Sequence, residues 1–232
     1  MDLKDWKRYA YILVIIGCAQ FIILTLVAML FYGGGSYYHP YNPGYDFINN
    51  YFSDLGLTKS YNGKSNMISS VLFAIAACGA GISMFPFFLA FPSYFTKKSW
   101  IAKYSSIIGS LIGIFAAICY IGIGLTPYDL YLSEHYFFVY SAFTSALFMV
   151  IAYSIAMVLN KDYPKKYAIV FLCFGIVLFA YVMLLFFGPT WETQAGLLIQ
   201  VVGQKVIVYL MISTLLVQGY GALKLYNTAN KT

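Results

Sequence analysis

Lys205 is the residue of this sequence whose position is hardest to explain by packing alone. It lies within the apolar stretch 197–222. If the helix enters a membrane near residues 193–196, Lys205 is about nine to twelve residues in, or roughly 14–18 Å deep at 1.5 Å per residue. An ammonium group at such a depth costs at least about 2.5–3.5 kcal/mol unless it is paired or hydrated.

Two glutamines accompany this lysine. Gln200 and Gln204 are four residues apart and share one helical face, and Lys205 lies about 100° round the helix from Gln204. The spacing predicts a polar stripe that faces the bundle interior or a wet cavity. Two interpretations stay open: a structural Lys–carboxylate bridge that holds helices together, and a ligand-binding or catalytic role.

The acids that could pair with Lys205 are Asp54 and Asp129, followed by Glu134. Asp129 comes just after Pro127, where a helix must end because proline disfavours helical backbone in the residue before it. Both aspartates belong to segments that return to the apolar part of the chain within a few residues. We expect Lys205 to pair with Asp129 first and with Asp54 second.

The motif Ser53-Asp54-Leu55-Gly56 has two interpretations. Ser and Asp bond nearby backbone amides and Gly permits positive φ, so the motif is typical of a turn or cap. Alternatively, Ser53, His135 and Asp129 would act as nucleophile, base and orienting group. The sequence contains no G-x-S-x-G-like elbow that would favour this second interpretation. Outside catalysis, His135 is expected to be a capping or interfacial residue.

Several other chemistries are disfavoured by composition. The two histidines, His39 and His135, form no zinc-binding spacing, lie outside the middle of any apolar stretch and cannot supply a haem ligand pair. The sequence has no phosphate-binding loop. We therefore predict no metal and no cofactor. The cysteines each lie in a different apolar stretch and are expected to be packing residues: Cys18, Cys78, Cys119 and Cys173.

The elements that position these residues are predicted to be membrane spans. Of the 232 residues, 61% are hydrophobic and 9% are charged, against about 25% charged in a typical soluble domain. A span needs about 20 apolar residues in a helix. The first stretch is too long for the apolar core of a signal peptide. The chain 1–232 is thus predicted to be one all-α, polytopic six-helix domain, with spans at about 9–32, 67–91, 104–125, 136–159, 167–187 and 197–222.

The orientation of the predicted spans follows from the basic residues. Eleven of the 14 lysines and arginines lie at the two ends of the chain or in alternate connections, including Lys4, Lys97, Lys98 and Lys231. Basic residues stay on the cytoplasmic side. We therefore predict a multi-pass protein of the cell membrane with both termini in the cytoplasm. Membrane topology explains where the basic residues lie, so the net charge of +6 does not indicate a nucleic-acid partner. We expect none.

The connection 33–66 is expected to be ordered. It is long for a loop and rich in tyrosine, and it contains the mixed polar and apolar segment 46–54. Long loops inside compact domains are usually functional or have structure of their own. We expect this outer loop to fold over the mouth of the bundle, with a short interfacial helix as one possible form.

Three segments of the chain resemble the membrane family known as domain of unknown function 998, which is distantly similar to Frag/DRAM-like six-helix proteins. They are 46–56, with Ser53-Asp54-Leu55-Gly56; Thr126-Pro127-Tyr128-Asp129 with the downstream His135; and 196–206, with Gln204-Lys205. The resemblance implies a six-helix bundle whose outer polar segments converge. Lys205 stands where the family has arginine, which keeps the charge but loses the bidentate geometry. The resemblance implies no particular activity.

Three functions remain open at this point. The first is binding or movement of a lipid headgroup or small anionic solute in an outward-facing pocket, because ionisable residues within a membrane commonly mark such pathways. Its candidate residues are Ser53, Asp54, Asp129, His135, Gln204 and Lys205, with Glu134 and Gln200 as secondary candidates. The second is a structural or accessory subunit, and the third is an outer-leaflet lipid hydrolase or transferase. The expected partners are membrane lipids and other membrane-protein subunits.

Overall fold

The computed structural model describes residues 5–96 and 99–230 and contains six long helices in that part of the chain. Each helix is long and apolar enough to cross a membrane. Four basic residues that enter the orientation argument lie outside the described residues: Lys4, Lys97, Lys98 and Lys231. The helices are α1 (Trp6–Leu30), α2 (Met67–Ala90), α3 (Trp100–Leu125), α4 (Leu132–Leu159), α5 (Lys165–Phe187) and α6 (Gln194–Ala229).

The helices are longer than the predicted spans at several ends. The sixth helix continues to Ala229, seven residues beyond the predicted 222, and the third begins at Trp100 instead of 104. Ser99 explains the earlier start, because its side chain accepts a hydrogen bond from the backbone N–H of Ala102, as an N-cap residue does. Apolar runs locate a span, whereas polar helix formers and caps decide where the helix ends.

The six helices form a closed ring. Each helix packs against its neighbours in the chain, and α6 packs back against α1. We name the two ends of the ring by what they carry. The cap side carries the connection 31–66, which we call the cap, and the terminal side carries the start of α1 and the end of α6.

An aromatic cluster fills the ring on the terminal side. Tyr11 stacks on Tyr94 at a ring-centroid distance of 5.9 Å, and Tyr153 stacks on Phe171 at 6.1 Å. The hydroxyl of Tyr153 hydrogen-bonds with that of Ser110 at 2.6 Å. Because Tyr11, Tyr153 and Phe171 are at most 1% exposed, aromatic rings fill the interior of the bundle at this end.

The contact between α1 and α2 depends on glycine. A Cβ atom on Gly17 would clash with the side chain of Ser83. About one helical turn further along α1, Gln20 donates a hydrogen bond to the carbonyl of Ala76 at 2.8 Å. Its side chain also lies against Gly79, where an added Cβ atom would come within 2.9 Å of the Gln20 amide nitrogen. Small residues allow helices to approach closely in membranes, so these glycines set the α1–α2 distance.

Gly17→Leu is therefore expected to lower the free energy of unfolding by about 1–3 kcal/mol, the usual cost of overpacking. The matched control is Gly44→Leu in the cap, where a Cβ meets nothing within 4 Å. Equilibrium unfolding of the two variants in detergent micelles measures the difference. Equal stabilities would show that the close α1–α2 contact is dispensable.

Candidate functional site

The cap is inserted into the mouth of the ring. Its only regular element is a short 3-10 helix, Ser53–Gly56, whose four residues are all buried. Phe52, just before this helix, stacks on Phe21 of α1 at 5.9 Å and packs edge-on against Tyr209 of α6 at 5.6 Å. The cap thus fills the space between α1 and α6 on the cap side. Instead of the interfacial helix considered from the sequence, the cap contains one 3-10 turn.

The side chain of Asn66 holds the cap on α2. Its Oδ1 accepts a hydrogen bond from the backbone N–H of Gly33 at 3.0 Å. Its Nδ2 donates to the carbonyls of Leu57 at 2.8 Å and Leu55 at 3.2 Å. Ser69 also donates to the Leu55 carbonyl, at 3.0 Å. Since Asn66 is only 1% exposed, these bonds replace water for the buried carbonyls of Leu55 and Leu57 and for the half-buried N–H of Gly33.

Lys205 lies under the cap and is 3% exposed. Its ammonium donates a hydrogen bond to the backbone carbonyl of Asn50. It also lies 5.1 Å from the ring centre of Phe47 and 5.5 Å from that of Tyr45, within the range of cation–π attraction. Among the described residues, no carboxylate oxygen comes within 4 Å of its Nζ.

The expected pairing of Lys205 with Asp129 is therefore wrong. Asp129 is exposed, and its carboxylate accepts hydrogen bonds from the backbone N–H and the hydroxyl of Thr58, at 3.0 and 2.6 Å. It also accepts one from the backbone N–H of Lys59 at 3.2 Å. Because α3 ends just before Pro127, Asp129 lies at the rim of the cap. There the backbone N–H groups of Thr58 and Lys59 are within hydrogen-bonding distance of its carboxylate, whereas the buried ammonium is not.

Asp54 is the acid that the structure brings towards Lys205, although the two do not touch. Its carboxylate accepts hydrogen bonds from Asn50 Nδ2 at 2.8 Å, the backbone N–H of Tyr51 at 3.0 Å and the hydroxyl of Tyr128 at 2.6 Å. Asn50 therefore connects the two charges, since its side chain binds Asp54 and its carbonyl binds Lys205.

The environment of Asp54 favours its neutral form. Removal from water raises the pKa of this carboxyl to about 6, although the hydrogen bonds from Tyr128, Asn50 and Tyr51 and the charge of Lys205 oppose the shift. The desolvation prevails because Asp54 is 1% exposed. This carboxyl consequently has a pKa of about 6 instead of its ordinary 3.8.

A chain of hydroxyl groups leads from Asp54 to Tyr61. Tyr128 donates to Asp54, so the hydroxyl of Tyr61, 2.6 Å from that of Tyr128, donates in turn to Tyr128. The ring of His135 lies 5.6 Å from that of Tyr128. His135 Nδ1 is 2.7 Å from the carbonyl of Thr126, and because a carbonyl only accepts, Nδ1 carries the proton.

The catalytic set considered from the sequence is not assembled. His135 directs its Nδ1 to the Thr126 carbonyl, the position that an orienting Asp129 would occupy in a triad. Asp129 is used by the cap instead. Glu134 is exposed in the first turn of α4. Among the described residues, no three His, Cys, Asp or Glu side chains come together in a way that could hold a metal ion.

The predicted polar stripe on α6 is divided. Gln200 turns towards α5 and donates hydrogen bonds to the carbonyls of Leu184 and Pro189, both at 3.1 Å. Gln204 turns to the cap, where its Oε1 accepts a hydrogen bond from the backbone N–H of Phe52 at 2.6 Å. Of the two glutamines, only Gln204 therefore belongs to the site.

A small cavity of about 60 Å³ lies beneath the cap. Its lining is mainly apolar, with polar groups from Ser53, Gln204 and Tyr120. The buried hydroxyl of Tyr120 has no hydrogen-bond partner within the described part of the chain. The cavity therefore has room for a few water molecules or for one end of a ligand.

Sequence reasoning missed three residues of this site: Asn50, Asn66 and Tyr128. Asn66 precedes α2, where asparagine normally indicates a helix cap, but its side chain makes no capping bond there. Asn50 acts partly through its backbone carbonyl, which no residue type reveals. Tyr128 was part of a motif, yet a tyrosine near the end of a span is more often an interfacial residue.

Comparison of the chain with family models, with curated proteins and with solved structures gave no match. The resemblance to the family known as domain of unknown function 998 thus stays a prediction. The function has to be argued from the geometry of the cap and of the residues beneath it.

Proposed function

We propose that the chain is an integral membrane protein that binds an anionic group, carried by a lipid headgroup or a small solute, at Lys205 beneath the cap. The observation that carries this proposal is that the buried ammonium has no carboxylate against it in the part of the chain that the structure describes. A structural bridge would place a carboxylate against Lys205, but within the described residues none lies within 4 Å. The ammonium has three N–H donors, and among the described residues it donates to one oxygen, the carbonyl of Asn50.

An anion would supply what Lys205 lacks. Burying a charge is unfavourable unless it is paired and hydrogen-bonded, and aromatic faces compensate for only about 0.5–2 kcal/mol. Binding of an anionic oxygen at Nζ would therefore be strongly favoured once the oxygen reached it. The cavity beside Gln204 and Ser53 could then receive the first apolar atoms attached to the anionic group.

The cap controls access to Lys205 in this proposal. Asn50, Tyr45 and Phe47 contact the ammonium and would have to move aside for an anion to enter. Phe47 and its neighbour Ile48 are about half exposed, so the tip of this segment is less firmly packed than its ends. With the orientation predicted from the basic residues, the ligand would arrive from outside the cell or from the outer leaflet.

A structural or accessory role is the second candidate. It is favoured by the extent to which polar groups bind each other, since Asp54, Asp129 and Gln204 all accept hydrogen bonds from the cap itself. In that case the polar residues would serve only to hold the cap closed. The hydrolase or transferase hypothesis has no comparable support, because its catalytic residues do not meet.

Anion binding by purified protein in a neutral detergent distinguishes these candidates. Inorganic phosphate and short-chain dihexanoyl phosphatidylglycerol are the probes, and dihexanoyl phosphatidylcholine is the zwitterionic comparison, all measured by calorimetry. We expect Lys205→Met to weaken binding of the anionic probe at least tenfold, whereas Lys205→Arg keeps the charge and retains binding.

The matched control is Lys64→Met, which removes an exposed lysine from the same cap. It should bind as the wild type does. An unfolding curve for each variant separates loss of binding from loss of fold. If neither anionic probe binds the wild type, or if folded Lys205→Met binds equally well, the proposed site is wrong and the structural role is the better conclusion.

A further inference from the structure

An apolar groove runs between α4 and α5 on the terminal side, far from the cap. Its volume is about 610 Å³, and its lining includes Val150 and Ile151 of α4 and Leu172, Gly175 and Phe179 of α5. This volume lies within the roughly 300–1,000 Å³ of typical ligand sites. The exposed surface of the groove is almost entirely apolar, so it suits a hydrocarbon chain and not a solute.

The groove exists because α4 and α5 leave room beside Gly175. With no side chain at this position, the floor of the groove is the backbone of α5, and a Cβ atom here would approach Val150 at 3.1 Å. Ile151 and Phe179 line the rim and are 47% and 54% exposed. A larger residue at 175 would fill the groove from its floor, which makes this position suitable for a test.

A group of lysines lies at the terminal-side end of this groove. Lys161 is in the connection between the helices, and Lys165 and Lys166 begin α5; all three are exposed. Leu172 follows Lys165 by seven residues and Phe179 by fourteen, or about 10 and 21 Å along the helix. The groove therefore starts near the lysines and extends over roughly the 15 Å thickness of one leaflet's hydrocarbon.

We propose that this groove and its lysines bind one anionic glycerophospholipid from the leaflet on the terminal side. An acyl chain would lie along Gly175, and the phosphate would meet Lys165 and Lys166. Charge selects this occupant over an apolar partner helix, because the described connection 160–166 at the groove's polar end carries three lysines and one acid, Asp162. Such basic positions next to membrane spans attract anionic lipids electrostatically.

This site is independent of the proposed anion site at Lys205. The groove involves α4 and α5 on the terminal side, whereas Lys205 lies under the cap on α6. Either site can therefore fail experimentally without affecting the other. The test below uses variants that leave the cap unchanged.

Retention of lipid by the full chain provides the test. The protein is reconstituted in nanodiscs of phosphatidylcholine with a minor fraction of palmitoyl-oleoyl phosphatidylglycerol, extracted gently, and analysed by native mass spectrometry. We expect one phosphatidylglycerol to be retained in preference to phosphatidylcholine. The double variant Lys165→Gln/Lys166→Gln should reduce this retention at least threefold and leave phosphatidylcholine unchanged.

Filling the groove should reduce retention of both lipids. Gly175→Phe tests this from the floor, and Ile151→Trp tests it from the rim in case the first variant does not fold. The matched charge control is Lys59→Gln/Lys64→Gln, two exposed lysines of the cap, which should retain lipid as the wild type does. Equal lipid retention by all variants would overturn the proposal. A wild-type dimer that Gly175→Phe or Ile151→Trp converts to a monomer would also overturn it, because a second copy of the chain would then occupy the groove.

Discussion

Asn66→Ala is expected to lower the free energy of unfolding by about 3–5 kcal/mol, because each buried polar group left unpaired costs about 1–3 kcal/mol. The substitution removes the hydrogen-bond partner of the Gly33 N–H and of the Leu57 carbonyl. The Leu55 carbonyl loses one of two donors and keeps Ser69. Water cannot easily replace the lost partners, because Asn66 is 1% exposed.

Equilibrium unfolding in mixed detergent micelles measures this loss, and limited proteolysis of residues 36–62 shows whether the cap has detached. Asn230→Ala is the matched control, since it removes the same side chain from the exposed end of α6, where it makes one hydrogen bond. That variant should stay within about 0.5 kcal/mol of the wild type, as most surface changes do. A similarly small effect of Asn66→Ala would show that the cap is held mainly by its apolar contacts.

Lowering the pH from 7 to 4 is expected to stabilise the wild type by about 2 kcal/mol relative to Asp54→Asn. The pKa of Asp54 is about 6 in the folded protein, against an ordinary value of 3.8. The folded protein therefore binds the proton more tightly than the unfolded chain does. The resulting stabilisation is complete below pH about 4 and is lost as the pH rises through about 6.

Measuring both proteins at each pH isolates this contribution, because every other titrating group is common to the two. The unfolding free energies are compared at intervals between pH 4 and pH 7. Parallel curves for the wild type and Asp54→Asn would mean that burial does not raise the pKa of the Asp54 carboxyl. A relative loss of wild-type stability on acidification would reverse the sign and indicate a direct ion pair with Lys205.

The sequence by itself determined the number and approximate positions of the helices. A segment that can cross a membrane must satisfy its own backbone hydrogen bonds over about 20 apolar residues. Both requirements are local, so they can be recognised in 9–32 or 167–187 without knowledge of any partner. The helix ends were less predictable, because side chains such as Ser99 decide them through single hydrogen bonds.

The sequence also determined that Lys205 needs a partner, since a charge within an apolar helix is unfavourable wherever the helix lies. Which group provides it was decided only by the tertiary structure. Asp129 and Asp54 are equally acidic in the sequence, yet one binds exposed amides at the rim of the cap and the other is buried under it. The nearest oxygen to Lys205 is the backbone carbonyl of Asn50, a group present in every residue and therefore invisible as a motif.

The path of the cap explains why this choice lies beyond sequence reasoning. Residues 31–66 have almost no regular periodicity, and their course depends on distant contacts such as Phe52 with Gln204 and Asn66 with Gly33. Gln200 and Gln204 share a helical face, but they bind different segments. Gln200 donates hydrogen bonds to the end of α5 and to the turn after it, whereas Gln204 accepts one from the cap. Local pattern thus fixes the helices, whereas the site beneath the cap is created by contacts between segments that are far apart in the chain.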